Sequence, residues 1–101
     1  MMIEHVVLFK WKSAVTSEEI NDLLRELSEL KNKIPGIVSF KTGLNVSERS
    51  QGFHAAITST FVDKASLDAY GPHPEHQKIF AKLVQTTETI LAIDFYDIRQ
   101  S

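Results

Sequence analysis

Tyr70, His73 and His76 fall within one short stretch, Tyr70-Gly71-Pro72-His73-Pro74-Glu75-His76, which holds half of the four histidines and two of the three prolines in the chain. Imidazole titrates near neutrality, at about 6.5 when unperturbed, so a histidine held beside a phenol makes a proton-transfer pair. The same residues also have a purely structural reading. His73 directly precedes a helix-starting proline and reads as a capping or packing residue. His76, third in that helix, points either into a pocket or out to water. Tyr70 is either a catalytic partner or a core phenol bonded to backbone. The His73-x-x-His76 spacing spans one helical turn, but two imidazoles without a fixed carboxylate make a weak metal site, and no metal is expected.

The elements that must position these residues are legible from patterning. From Ile3 to Lys12, alternation puts Ile3, His5, Val7, Phe9 and Trp11 on one face of a strand and Val6 and Leu8 on the other. On this apolar face His5 reads as a satisfied buried histidine or a base, and Phe9 and Trp11 as core or dimer-contact aromatics. Thr16 with Glu19 spells a capping box and Val15 with Ile20 a hydrophobic staple, so a helix starts at Thr16. Ile20, Leu23, Leu24, Leu27, Leu30, Lys31 and Ile34 recur at helical spacing until Pro35-Gly36 stops the run. Ile37 to Asn45 reads as a second strand, Ser47 to Gly52 as a polar loop, and His54 to Val62 as a third strand. Asp63 offers an N-cap for a short helix through Tyr70. Pro74 suits the first turn of another helix, whose face is Ile79, Phe80, Leu83, Val84 and Thr87. Ile90 to Arg99 closes the chain as a fourth strand containing Phe95 and Ile98.

The order strand, helix, strand, strand, helix, strand gives an α+β, ferredoxin-like βαββαβ fold: a four-stranded antiparallel sheet with its helices on one face. The other face carries Val6 and Leu8 and needs a cover that a short chain does not supply. A second copy packed sheet to sheet supplies it, so a homodimer with a barrel-like core is expected.

Composition bounds the function. The 101 residues, 43% of them hydrophobic, suffice for one domain, 1–101, with one core. A formal net charge of −2 with no basic stripe argues against nucleic acid as a partner. No apolar run approaches the ~20 residues of a membrane span and no leader pattern opens the chain, so no membrane partner and a cytoplasmic location are expected. Without cysteine there are no disulfides, thiolate nucleophiles or cysteine metal sites.

The chain resembles the stress-responsive A/B barrel domain family, a branch of the dimeric α+β barrel proteins. The resemblance covers nearly the whole chain. It rests on His5-Val6-Val7-Leu8-Phe9-Lys10-Trp11-Lys12, Ile34-Pro35-Gly36-Ile37, Gly43-Leu44-Asn45-Val46-Ser47, Tyr70 through His76, and a closing Asp94-Phe95. It implies a homodimeric ferredoxin-like barrel. Within that family the four histidines are similar to those of olivetolic acid cyclases, which close a linear polyketide by aldol condensation without a cofactor. The matching motif implies His76 as base and Tyr70 as its partner, with His5 and His54 as further histidines near the site. The pocket wall departs from those cyclases. Where they carry aromatics, this chain has Leu23, Leu24, Leu27 and Thr87.

Antiparallel pairing of the first and third strands places His5 and His54 at opposite ends of the sheet. His5 then approaches His73 or His76, and His54 is the outlier. Three functions fit these readings. The first is a small homodimeric protein binding a small apolar or aromatic molecule in a pocket between sheet and helices, with His54, His73, Leu23, Leu24 and Leu27 as ligand-binding candidates. The second is a cofactor-free polyketide cyclase or lyase in which His76 removes a proton α to a carbonyl and Tyr70 stabilises the enolate, with His5 as a further catalytic candidate. The third, suggested by similarity to other dimeric α+β barrels, is a cofactor-free aromatic monooxygenase. None calls for a cofactor.

Overall fold

The computed structural model describes residues 1–100; Ser101, the last residue of the expected domain, lies outside them. Strand β1 (Ile3–Trp11) buries Ile3, Val7, Phe9 and Trp11, while Val6 and Leu8 on its other face are half-buried. Helix α1 (Ser17–Glu29) begins where the capping box places it. Thr16 is extended at φ −80° and ψ 159°, and its Oγ1 accepts from the Glu19 N–H at 3.1 Å. Val15 and Ile20, the staple pair, both pack against the core. The α-helix tightens into a 3₁₀ turn over Leu30–Asn32 before the chain reverses at Gly36. Gly36 sits at φ +91°, and a Cβ there would lie 2.6 Å from Ser66 Cβ, so both backbone and packing require glycine.

Strands β2 (Ile37–Leu44) and β3 (Ala55–Phe61) then pair antiparallel, followed by helices α2 (Lys64–Tyr70) and α3 (Pro74–Thr86) and strand β4 (Thr87–Phe95). The sheet order is β2-β3-β1-β4, with every neighbouring pair antiparallel. This is the expected α+β, ferredoxin-like arrangement. The core lies between the sheet and the helices. Phe9, Ile57 and Phe61 meet Leu23, Leu24 and Leu27 of α1, Leu67 and Tyr70 of α2, and Ile79 and Leu83 of α3.

The last strand differs from the expected Ile90–Arg99. It starts at Thr87, because α3 passes into β4 without a loop. Thr87 is already extended, at φ −103° and ψ 144°, while its backbone N–H and its Oγ1 both donate to the Leu83 carbonyl. No glycine or proline marks that boundary. The strand stops at Phe95 because its partner runs out: Phe95 pairs with Glu4, next to the first residue of β1. Ile98 lies instead in a 3₁₀ turn, Ile98–Gln100.

The sheet face away from the helices is apolar over β1 and β4. Register places Val6 opposite Ile93 and Leu8 opposite Leu91, with Phe95 beside them. Leu91, Ile93 and Phe95 are 42%, 45% and 47% exposed in the single chain. Among the described residues no helix is long and apolar enough to cross a membrane.

Candidate functional site

The segment rich in chemistry is held at both ends by caps. Asp63 accepts from the Ser66 N–H at 2.8 Å and starts α2, whose inward residues are Leu67 and Tyr70. His73 caps α3, its Nδ1 accepting from the Glu75 N–H at 3.1 Å, with Pro74 in the first turn. His73 therefore occupies the capping position and does not line the cavity described below.

His76 lies half-buried in the first turn of α3. Its Nδ1 lies 2.8 Å from the Gly71 carbonyl, which also accepts from Gln77 Nε2 at 2.7 Å. A carbonyl only accepts, so Nδ1 carries the proton, and the neutral ring keeps its lone pair on Nε2. Burial pushes the His76 pKa below its ordinary 6.5; the Gly71 bond opposes this, and His5 and His73 add to it. The ring is thus held as a neutral base.

Tyr70 is 4% exposed, its ring centroid 4.4 Å from that of His76 and 5.0 Å from that of Phe61. Burial raises its pKa well above 10, so the phenol stays protonated and serves as a donor. The hydroxyl is not tied to backbone. Among the described residues it has no hydrogen-bond partner, and the residue lines a cavity.

That cavity, about 380 Å³, lies between the β1 and β4 side of the sheet and helices α2 and α3. Its polar end brings together His5, Tyr70 and His76 with Asp68 and Asp94, and its apolar wall includes Phe9, Leu27, Ile57, Phe80 and Ile90. The His5 and Tyr70 rings are 6.0 Å apart. Register explains the last polar member. His5 pairs with Asp94 across β1 and β4, and its Nδ1 bonds Asp94 Oδ1. A carboxylate accepts, so this imidazole too is oriented with Nδ1 as donor and Nε2 free.

His5, His76 and Tyr70 therefore converge on the cavity, His73 caps α3 outside its lining, and the fourth histidine is remote. His54 lies at the far end of the sheet, where its Nδ1 accepts from the Trp11 N–H at 3.0 Å beside Val15 and Leu44. Of the three leucines on α1, only Leu27 lines the cavity. Leu23 is core, and Leu24 borders a separate groove with Phe40 and Thr42. Among the described residues no group of three or more His, Asp or Glu side chains is placed to hold a metal ion.

Asp94 and Phe80 join the site without having been singled out for it. The signal for Asp94 was available in a carboxylate that shares a strand face with Ile90 and Ala92 and stands opposite a histidine. Phe80 stacks on His76, its ring centroid 5.7 Å away, one turn along α3.

A family model for the stress responsive A/B barrel domain matches residues 3–97. The stress-response A/B barrel domain-containing protein HS1 of Arabidopsis thaliana is 30% identical over 95 residues, spanning 92% of this chain and 87% of that protein. Among solved structures, the Arabidopsis thaliana protein At3g17210 superposes with a TM-score of 0.87 at 29% identity, covering 94% of each chain. A dimeric ferredoxin-like protein of unknown function from Bacteroides fragilis gives 0.82 at 29% identity, covering 95% of this chain and 96% of that one.

Proposed function

We propose, for a chain that belongs to the stress-responsive A/B barrel domain family, that it is a homodimer binding a small apolar or aromatic molecule in the cavity between sheet and helices. The observation that carries the reading is the cavity itself. One end is hydrocarbon, and the other collects two oriented imidazoles and an unpartnered phenol. A largely apolar cleft with a few convergent polar groups is the usual form of a small-molecule site. Support for the dimer comes from the apolar outer face at Leu91, Ile93 and Phe95 and from the dimeric Bacteroides fragilis relative. Packing of the two sheets against each other covers that face.

A second reading is favoured by one specific feature, the His76 Nδ1 bond to Gly71, which leaves Nε2 as a neutral base beside the Tyr70 donor. That pair suits a cofactor-free lyase or cyclase step. His76 takes the proton α to a carbonyl, and Tyr70 donates to the enolate oxygen.

Acetophenone tests both readings. Titrated into labelled protein, it shifts the NMR resonances of Tyr70, His76, Phe80 and Leu27; shifts confined to other surfaces, or none, remove the binding reading. In D₂O the lyase reading predicts faster exchange of its methyl protons with wild type than with His76→Gln, and equal rates remove it.

A further inference from the structure

The polarity of the cavity's hydrogen-bonding groups specifies its ligand more narrowly than volume does. His76 donates through Nδ1 to Gly71, so its neutral ring offers the cavity an acceptor at Nε2, while His5 is committed through Nδ1 to Asp94. Tyr70 offers a donor that no group among the described residues uses. No lysine or arginine lines the cavity among the described residues, whereas two carboxylates, Asp68 and Asp94, do. Lys64 is outside the lining and is paired with Asp68 at 2.7 Å.

We infer that the cavity selects a neutral hydroxyl-bearing ligand, a phenol or the enol of a ketone, and discriminates against the matching carboxylate. The ligand's O–H donates to an imidazole Nε2 and its oxygen accepts from Tyr70, while its apolar body lies against Phe9, Leu27 and Ile57. A carboxylate has no proton for His76 Nε2 and meets the Asp94 carboxylate among the lining groups. Its only complementary group is the Tyr70 hydroxyl, so one of the two polar contacts is lost and a repulsion is added. This rests on the small-molecule reading above and goes beyond it in naming the charge and hydrogen-bond sense of the ligand.

The test compares three probes with one tail, 4-butylphenol, 4-butylbenzoate and butylbenzene, by NMR titration at pH 7.5. There the phenol (~10) is neutral and the acid (~4) is ionised. We expect the phenol to bind at least tenfold more tightly than the benzoate and more tightly than butylbenzene. In Asp94→Asn the preference over benzoate narrows several-fold. Benzoate binding as tightly as phenol in wild type overturns the inference while leaving the pocket reading intact. Binding by none of the three overturns both.

Discussion

Replacing Tyr70 by phenylalanine removes one oxygen from a residue that is 4% exposed and whose ring packs on Phe61 and His76. All of that packing survives the substitution. What changes is a hydroxyl that adjoins the cavity and has no partner among the described residues. A buried hydroxyl lacking a hydrogen bond opposes folding by about 1–3 kcal/mol, whereas one that is bonded contributes about 1 kcal/mol to stability. The Tyr70 hydroxyl adjoins a cavity of about 380 Å³, roomy enough for water, which restores part of its solvation. The Tyr70 hydroxyl is not among the fully buried polar atoms left without a partner, so Tyr70→Phe is expected to lie within about 1 kcal/mol of wild type. Urea unfolding at one fixed protomer concentration measures this, because a dimer's apparent stability depends on concentration. The same substitution removes the donor offered to ligand, so affinity for 4-butylphenol falls about 2- to 12-fold, the equivalent of one net hydrogen bond. A loss of stability above about 1 kcal/mol would show that the hydroxyl is a structural bonding group and refute the reasoning.

Gly36→Ala is expected to lower stability by about 2 kcal/mol or more, since the residue combines φ +91° with a Cβ placed 2.6 Å from Ser66 Cβ; an unfolding midpoint within error of wild type would contradict this. His76 titrates below its ordinary 6.5 in the folded chain, so the unfolded state binds the proton first and wild-type stability falls as pH drops from about 7 through 6.5, levelling only beneath the folded value. His76→Gln removes this component, and superimposable stability–pH curves for the two proteins would show that burial does not act on the ring as described. Ile93→Lys places a charge in the apolar part of the outer sheet face, on edge strand β4 opposite Val6, and light scattering is expected to show monomer where wild type shows dimer. Unchanged mass for the variant rules out that face as the interface.

The architecture was legible because each element carries a local instruction. Thr16 and Glu19 set the start of α1, Asp63 that of α2, and Pro74 that of α3, and each does so in the structure. Alternation along β1 sorted its faces, and antiparallel order alone separated His54 from His5. The α3–β4 junction was not legible, since Thr86-Thr87 contains neither breaker nor turn residue and the change of conformation is fixed by a tertiary ladder with β1. The site was legible in part. Tyr70, His76 and His5 converge, but Asp94 enters only through register, a long-range property, and the hydrogen-bond roles of the rings depend on partners such as the Gly71 carbonyl that no side-chain pattern encodes. Leu23, Leu24 and Leu27 look equivalent on a helical wheel. Only the placement of α2 and α3 over β1 distinguishes Leu27, beneath the cavity, from the other two.

The most direct test of the account is the tautomer of His76, read from its side-chain nitrogen shifts in a long-range proton–nitrogen correlation spectrum at pH 8. A protonated Nδ1 and a bare Nε2 are predicted, with the Nε2 resonance moving when 4-butylphenol binds. A proton on Nε2 would mean that Nδ1 does not donate to the Gly71 carbonyl and that the ring offers the cavity no base, contradicting both the proton-transfer reading and the proposed preference for hydroxyl-bearing ligands.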